Sequence, residues 1–332
     1  MKAAQFHEHG DTANIRWDDF PDPECGADDV VIKVHAAALN GFEPMILLKT
    51  TALKTPLPMI VAGDGAGEIV ELGANVDGWA AGDRVSVYPM VPGEGMTGET
   101  RLGICAEYHR IPATNIVRMP DDLSFEHAAS LPIAYGTALR MMKTRGQVAA
   151  GEKVMILGAA GGVGTACVQL AKAAGAEVIA CSSSEWKLEK LKEIGADHVV
   201  NTGQVEFRQW VWDHLGKPRM GQDGGVDVMV NYIGGDTWVD SLKSIAPGGR
   251  MLLCGATMDY KTDNDCRYIW TYEINIMGSN GWTMDDQAEM MRMAAEGAIV
   301  PVIDSVRPLS ETGDAVQKLI DRDFFGKIVL VP

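Results

Sequence analysis

The stretch that decides the fold runs from Lys153 to Asn201 and reads KVMILGAAGGVGTACVQLAKAAGAEVIACSSSEWKLEKLKEIGADHVVN. Short apolar runs predict strands, and longer runs with apolar residues at helical spacing predict helices that end at glycines. The predicted strands are 153–157, 177–181 and 198–200, and the predicted helices are 165–174 and 184–194. Strands and helices that alternate at this spacing predict an α/β fold with a parallel, doubly wound sheet.

The same pattern continues toward the carboxyl terminus and is absent toward the amino terminus. Strand-then-glycine segments recur at 226–235, 250–256 and 274–279. Before about residue 125, strands such as VVIKVHAAAL are punctuated by Gly and Pro and predict a compact β domain. After about residue 300, an amphipathic helix and a closing strand, FGKIVLVP, are expected.

The turn after the first strand has the composition of a dinucleotide-binding turn. Gly158, Gly161 and Gly164 let the backbone approach a pyrophosphate closely and let the following helix pack on the sheet. The free N–H groups and the dipole of that helix favour phosphate binding. The other candidate contacts in the turn are Ala160, Gly162 and Val163.

The end of the second strand selects the cofactor. An NAD enzyme usually has Asp or Glu there, whereas this chain has Ser182 and Ser183, with Lys187 five residues after Ser182. Hydroxyls and an ammonium suit the 2′-phosphate of NADP(H). Alternatively, Ser182 caps the next helix with Glu185 completing a capping box, and both roles are compatible. Loop residues after the later strands are further candidates for cofactor contact: Asn231, Gly234, Gly255, Ser279 and Asn280.

Composition limits the partners. The net charge of −16 argues against nucleic acid and anionic membranes as partners. No apolar window is long enough for a membrane helix, and the first residues resemble a strand rather than a signal peptide, so a cytosolic location is expected. The six cysteines include no pair closer than twelve residues, which leaves no CxxC motif and makes disulfides unexpected.

These residues resemble a known family. The stretch 154–201 resembles the cofactor half of the quinone oxidoreductases in the medium-chain dehydrogenase/reductase superfamily, and PLPMIVAGDGAGEIVELGANVDGWAAGDRV resembles a signature of its β domain. The resemblance implies a GroES-like β-barrel catalytic domain at 1–125, to which 297–332 returns. It also implies a Rossmann NADP-binding domain at 126–296, with substrate and nicotinamide between the two. We also expect a homodimer or a tetramer.

Departures from the family pattern indicate an enzyme without zinc. The zinc alcohol dehydrogenases have Cys where this chain has Asn40, a His–Glu pair in place of Asp64–Gly65, and another ligand near Ile133. A catalytic zinc needs three protein ligands, and one carboxylate does not supply them. The segment that would hold a structural zinc, 89–105, contains only Cys105. No metal is therefore expected.

The resemblance also suggests roles for single residues. In the zinc-free branch, residues like Asn40 and Thr137 lie near the nicotinamide ribose, whereas the tyrosine usual after the Asn is missing here. The segment around Arg267 and Tyr268 is similar to enoyl-thioester reductases and is a candidate grip on a carboxylate or thioester. A solvated loop is the alternative reading.

Without zinc, developing charge must be stabilised by hydrogen bonds, which suits an activated C=C bond in a quinone, enone or enoyl thioester. Candidate donors are Asn40, Tyr88, Tyr135 and Asn280. Tyr135 could equally belong to the core. Asp64 could line the site, or its carboxylate could be occupied by backbone donors or an arginine. The sequence leaves two rivals open: a zinc-free carbonyl reductase, and a non-catalytic NADPH-binding protein.

Overall fold

The chain divides into two units, and the computed structural model describes residues 1–332 of it. One unit comprises Met1–Ala134 and Thr283–Pro332, and the other comprises Tyr135–Trp282. The predicted boundaries lay at 125/126 and 296/297. The first unit therefore includes two segments that the sequence analysis assigned to the Rossmann domain, 126–134 and 283–296.

The strands and helices are numbered along the chain. The strands are β1 Lys2–Phe6, β2 Arg16–Asp19, β3 Asp29–Ala38, β4 Met59–Ile60, β5 Asp64–Leu72, β6 Arg84–Val87, β7 Met90–Val91, β8 Gly95–Met96, β9 Tyr108–Pro112, β10 Ile116–Arg118, β11 Lys153–Ile156, β12 Glu177–Ser182, β13 His198–Asn201, β14 Val226–Val230, β15 Ile245–Leu253, β16 Asn275–Gly278, β17 Ile303–Pro308 and β18 Lys327–Val331. The helices are α1 Glu43–Leu47, α2 Phe125–Ser130, α3 Pro132–Leu139, α4 Gly162–Ala173, α5 Glu185–Glu193, α6 Phe207–His214, α7 Thr237–Leu242, α8 Cys266–Thr271, α9 Met284–Ala295 and α10 Thr312–Ile320.

The Tyr135–Trp282 unit is built on a six-stranded parallel sheet in the order β13-β12-β11-β14-β15-β16. The chain starts in the middle at β11, moves outward to β13, and then returns to place β14 on the other side of β11. This arrangement confirms the predicted doubly wound sheet. Ligands of such sheets bind where the strand order reverses, at the carboxyl ends of the strands. The glycine-rich turn follows β11 and lies at this point.

The other unit is rich in β structure, as predicted. Its main sheet has the order β10-β6-β5-β3-β18-β17, with β9 also paired to β3. The chain returns from the second unit to add β18 next to β3 and β17 on the far side of β18. Strand β18 confirms the closing strand expected at FGKIVLVP. Long β3 is central, because β5 and β18 both pair with it in antiparallel register.

None of the helices has both the length and the apolar character needed to span a bilayer.

All six cysteines are unpaired. Burial raises the pKa of Cys181 to about 12 and that of Cys167 well above its ordinary value, so both thiols stay protonated at neutral pH.

Candidate active site

Three strand ends bring distant residues together in the first unit. Asn40 lies two residues beyond the end of β3, Asp64 is the first residue of β5, and Lys327 is the first residue of β18. Because β5 and β18 run antiparallel to β3, their first residues lie beside its last ones. Ala38 pairs with Asp64 on one side and with Val329 on the other.

Their side chains form a buried hydrogen-bonded cluster. Lys327 Nζ donates to Asn40 Oδ1 at 2.5 Å and to Asp64 Oδ2 at 3.0 Å. Asn40 Nδ2 donates to the same Asp64 oxygen at 3.0 Å, and the Ile133 N–H donates to Asp64 Oδ1 at 2.9 Å. Asp64 and Lys327 have side-chain exposures of 0% and 1%, and the Asn40 residue is 9% exposed. The cluster therefore joins the predicted residues Asn40 and Asp64 to a lysine that the sequence analysis did not single out.

Glu43 is the fourth member of the cluster. Its Oε2 accepts from the Asn40 backbone N–H at 2.6 Å, whereas its buried Oε1 has no hydrogen-bond partner. Burial raises the pKa of Glu43 to about 8, although Lys327 opposes the rise. Glu43 is thus mostly protonated at neutral pH.

Asp64 carries the negative charge of the cluster. Burial raises the pKa of Asp64, and the Lys327 ammonium and the Asn40 amide oppose that rise. Its two oxygens face only donors, from Lys327, Asn40 and Ile133, and this arrangement requires an ionised carboxylate. With Glu43 protonated, the positive charge of the Lys327 ammonium and the negative charge of the Asp64 carboxylate cancel, so the buried cluster has no net charge.

This arrangement does not fit a catalytic zinc. The Asp64 oxygens already accept from three donors, and a buried ammonium lies 3.0 Å from one of them. A divalent cation beside that ammonium would be repelled. Ile133 offers the cluster a backbone N–H rather than a ligand atom. In the structure as a whole, no group of three or more His, Cys, Asp or Glu side chains is arranged to hold a metal ion.

The raised pKa of Glu43 predicts a pH-dependent stability. Its pKa is about 8 in the folded chain against an ordinary 4.5, so the unfolded chain loses this proton first as pH rises. The free energy of unfolding is therefore not reduced by Glu43 below about pH 4.5, and it falls as the pH rises toward about 8. Glu43→Gln removes this dependence. The free energy of unfolding of the variant minus that of the wild type should rise by about 1.4 kcal/mol per pH unit between these values.

Urea unfolding at several pH values measures this difference. Glu193→Gln, at an exposed glutamate of α5, is the control, and its stability curve should run parallel to that of the wild type. A Glu43→Gln curve that also runs parallel to the wild type would contradict the burial of a protonated carboxyl group.

The predicted glycine turn has the geometry that phosphate binding requires. Gly158 has a φ of 67°, in the left-handed region where only glycine is unstrained. A Cβ on Gly164 would lie 2.6 Å from the backbone of Ala159, so the turn and α4 pack too closely for a side chain. No side chain caps the N-terminus of α4 at Gly161, so the first N–H groups of the helix remain available to an anion.

The residues that favour NADP(H) lie at the end of β12 and in the first turn of α5. Ser182 and Lys187 are largely buried, and Ser183 is exposed. The Lys187 ammonium lies 5.3 Å from the centre of the Trp186 ring. The alternative role of Ser182 as a helix cap is wrong, because α5 starts three residues later, at Glu185, with Ser184 at the N-cap position and no capping side chain. Glu185 accepts instead from Asn201 Nδ2 at 2.7 Å.

The loop after β14 is organised by a buried asparagine. Asn231 Nδ2 donates to Thr237 and Ser241, and Asn231 Oδ1 accepts from the backbone of Ile233 and Gly234. Its amide is therefore committed to the fold of the loop, and the proposed direct cofactor contact is not favoured. Gly234 has a φ of 75° and would clash with a carbonyl oxygen 2.4 Å away if it carried a Cβ.

The end of β16 contains an unsatisfied polar group. Ser279 Oγ is buried without a hydrogen-bond partner, whereas a buried hydroxyl normally has one. A bound polar ligand would supply that partner. Asn280 is exposed, and a Cβ on Gly255 would meet nothing within 4 Å, so both leave room at these strand ends. The glycine turn and this orphaned hydroxyl fit a nicotinamide dinucleotide.

The two predicted tyrosines have hydrogen-bond partners outside the cluster around Asp64. Tyr135 has no exposed surface, and its hydroxyl accepts from Gln169 Nε2 at 3.2 Å. This placement agrees with the core alternative and disfavours a substrate contact. Thr137, two residues later in α3, is half-buried. Tyr88 is also half-buried, and its backbone is bonded to Asn115.

Arg267 is engaged elsewhere. Its guanidinium makes two parallel hydrogen bonds to Asp265, at 2.9 and 2.8 Å, and its side chain is 77% exposed. An arginine whose fork already binds a carboxylate is a poor grip for a substrate carboxylate. Arg267 is therefore solvated, as the alternative expected, but it lies in helix α8 rather than in a loop. Tyr268 packs beside Tyr272 within its own unit.

Lys327 and Glu43 are the residues that sequence reasoning missed. Each had a signal in the sequence. Lys327 opens an otherwise apolar strand, KIVLV, and Glu43 lies three residues after Asn40. A lysine at the start of a buried strand needs an anionic partner, but the sequence does not say which one.

Comparison with known proteins places this geometry in a family. A family of GroES-like alcohol dehydrogenase domains matches residues 26–121, and a family of zinc-binding dehydrogenases matches residues 162–296. A solved structure described as an NAD-dependent alcohol dehydrogenase superimposes with a TM-score of 0.92 at 31% identity, covering 100% of both chains. The chain belongs to the medium-chain dehydrogenase/reductase superfamily.

The relatives also identify the branch of the superfamily. An acryloyl-coenzyme A reductase of Sulfurisphaera tokodaii is 28% identical, covering 97% of this chain and 98% of its own length. A quinone oxidoreductase of Rattus norvegicus is 28% identical, covering 100% of this chain and 98% of its own length. The structure of a 2-octenoyl-CoA carboxylase reductase in complex with NADP has a TM-score of 0.85 at 26% identity, covering 96% of this chain and 82% of its own. These findings confirm the predicted enoyl and quinone reductase branch, whose members are oxidoreductases that use nicotinamide cofactors.

Proposed function

We propose that this member of the superfamily reduces an activated C=C bond, in an enone, quinone or enoyl thioester, with NADPH and without zinc. The single observation that carries the proposal is the Asn40–Asp64–Lys327 cluster, which presents hydrogen-bond donors and a buried ammonium but no metal-ligand set. Such a site can stabilise an enolate oxygen, whereas a simple ketone needs stronger polarisation.

The residues of the second unit would hold the cofactor. The N–H groups at the start of α4 bind the pyrophosphate, with Gly158 and Gly164 allowing the close approach. Ser182 and Lys187 bind the 2′-phosphate. The Ser279 hydroxyl, which has no protein partner, donates to or accepts from the bound dinucleotide. One solved relative, a 2-octenoyl-CoA carboxylase reductase, is in complex with NADP and supports NADPH, whereas another is described as NAD-dependent. The absence of Asp or Glu at the end of β12 decides our proposal for NADPH.

In the reaction, Asn40 acts as the hydrogen-bond donor to the substrate oxygen. Bound NADPH supplies the hydride. The Asn40 amide has a second N–H on Nδ2 beyond the one given to Asp64, and this N–H binds the oxygen on which charge develops. Asp64 has no exposed surface, so we assign it to the support of Asn40 rather than to contact with the substrate.

A carbonyl reductase is the second candidate, favoured by the structural likeness to an NAD-dependent alcohol dehydrogenase. The position of hydride delivery separates the two candidates. With deuterated NADPH and a 2-enone, the label should appear on the β-carbon, and the matching saturated ketone should react poorly. Label on the carbinol carbon would overturn the proposal and establish the second candidate.

The cofactor assignment predicts a selective effect of Lys187. Lys187→Ala should weaken NADPH binding by about ten- to a hundred-fold and leave NADH nearly unchanged, because a charge-assisted contact is worth about 1.5–3 kcal/mol. Affinities for both cofactors can be measured by fluorescence titration. Lys190→Ala is the matched control, since its ammonium also lies over the Trp186 ring, at 5.1 Å, and we assign it no phosphate contact. Equal losses for NADPH and NADH in Lys187→Ala would show that this lysine is structural.

Zinc independence predicts resistance to chelators. Purified protein should contain no stoichiometric zinc by elemental analysis and should keep full activity after treatment with EDTA, because the residues at the ligand positions bind one another. One zinc ion per chain, or activity restored only by added zinc, would contradict this interpretation of the site.

A cytosolic location and a homodimeric or tetrameric state remain predictions from the sequence.

A further inference from the structure

The Asn40 amide lies between two opposite charges. Its Oδ1 faces the Lys327 ammonium at 2.5 Å, and its Nδ2 faces the Asp64 carboxylate at 3.0 Å. If the amide were turned over, its NH₂ group would face the ammonium and its oxygen would face the carboxylate, and both contacts would be repulsive. The two charged side chains therefore hold the amide in one orientation, with its second N–H in one direction.

Lys327 is held as tightly as the amide. Its side chain is 1% exposed, its ammonium is shared between Asn40 and Asp64, and its backbone N–H donates to the Val302 carbonyl at 2.9 Å. A buried ion pair is often no more stabilising than apolar residues of similar size, since both charges must be removed from water. The ammonium is thus poorly explained as a source of stability alone.

We infer that Lys327 is a positioning residue, whose ammonium orients and polarises the Asn40 amide so that its second N–H is a strong donor to the substrate oxygen. The inference rests on the proposed function, in which Asn40 makes that contact. A cation on the amide oxygen withdraws electron density from the amide nitrogen, and hydrogen bonds linked in this way strengthen one another. The effect grows as negative charge develops on the substrate oxygen.

The resemblance to the zinc alcohol dehydrogenases implies that residues 40 and 64 occupy positions where those enzymes have metal ligands. In this chain the same two positions bind an ammonium. The positive charge is therefore kept beside the site, but it acts through an amide rather than by direct contact with the substrate.

A double-mutant cycle tests the inference. Lys327→Met should lower kcat by about ten- to a hundred-fold, as is typical when a partner that orients an active-site group is removed, with the KM for NADPH little changed. If Lys327 acts through Asn40, Lys327→Met should cause no further loss of kcat in an Asn40→Ala background. Lys318→Met is the matched control in the same unit, because Lys318 is paired to Asp304 and should affect stability without lowering kcat.

A second variant covers the case in which Lys327→Met does not fold. The double variant with Asp64→Asn and Lys327→Met has no unpaired charge in the cluster. The kcat of this double variant should stay low because the ammonium is missing. Wild-type kcat in that double variant, or additive losses from Asn40→Ala and Lys327→Met, would overturn the inference and leave the proposed function intact. Unchanged kcat in Asn40→Ala would remove the donor role of Asn40, and the inference with it. Hydride delivery to the carbinol carbon would refute only the proposed reaction, since the cycle can be measured on either reduction.

Discussion

Replacing Asn40 by alanine should lower kcat by about a hundred- to a thousand-fold, the usual loss when one donor to a developing oxyanion is removed. The structure supports this expectation because the Asn40 residue is 9% exposed, and its amide is held in one orientation and has one N–H without a partner in the cluster. Steady-state kinetics with a series of enones measures the loss. It should be smaller for acceptors whose electron-withdrawing groups delocalise the charge better.

Asn115→Ala is the control for this variant. Asn115 is also buried in the first unit, and its amide donates to the carbonyls of Tyr88 and Met90 at 3.1 and 2.7 Å. Its loss should reduce stability and leave kcat close to that of the wild type. If Asn40→Ala and Asn115→Ala had similar kinetics, Asn40 would be a structural residue and another donor would have to be sought.

Removing the Lys327 ammonium should destabilise the first unit strongly. Lys327→Met leaves the Asp64 carboxylate buried without a cation, and breaking a buried pair in this way costs about 3–5 kcal/mol. Adding Asp64→Asn should recover part of that loss, because an amide has no charge to desolvate. Urea unfolding of the wild type and of the single and double variants measures these differences in the free energy of unfolding.

The Lys318–Asp304 pair provides the comparison for stability. Its lysine side chain is 23% exposed, against 1% for Lys327, so Lys318→Met should cost clearly less. A Lys327→Met variant as stable as the wild type would show that Asp64 takes up a proton at little cost. Equal losses in the single and double variants would show that packing, rather than charge, holds this cluster together.

Most of the fold could be predicted because its signals are local. Most strands of the parallel sheet are short apolar runs with a glycine close behind, although β12 ends in serines. Helices α4 and α5 have apolar residues at helical spacing, so neighbouring residues suffice to recognise these elements. The glycine turn was recognisable for the same reason, since Gly158 and Gly164 are required by backbone geometry within a few residues. The Ser182 cap was wrong because the start of a helix depends on which neighbouring N–H groups find acceptors.

The candidate site was only partly predictable because its members are distant in sequence. Asn40 and Asp64 were singled out by resemblance, but Lys327 lies 287 residues from Asn40 and 263 from Asp64. Only the antiparallel register of β5 and β18 on β3 places their first residues beside Asn40. Likewise, Tyr135 had the chemistry of a donor, and helix packing placed its hydroxyl in the core on Gln169.

The sequence by itself thus determined the strands of the parallel sheet, helices α4 and α5 and the dinucleotide turn, because backbone preference and hydrophobic periodicity act over short distances. The tertiary structure alone decided which charged groups meet. The Lys327–Asp64–Asn40 contacts depend on strand pairing across the whole chain, and the raised pKa of Glu43 depends on burial that pairing creates. Long-range pairing and desolvation, which no local pattern records, therefore set the chemistry of the site.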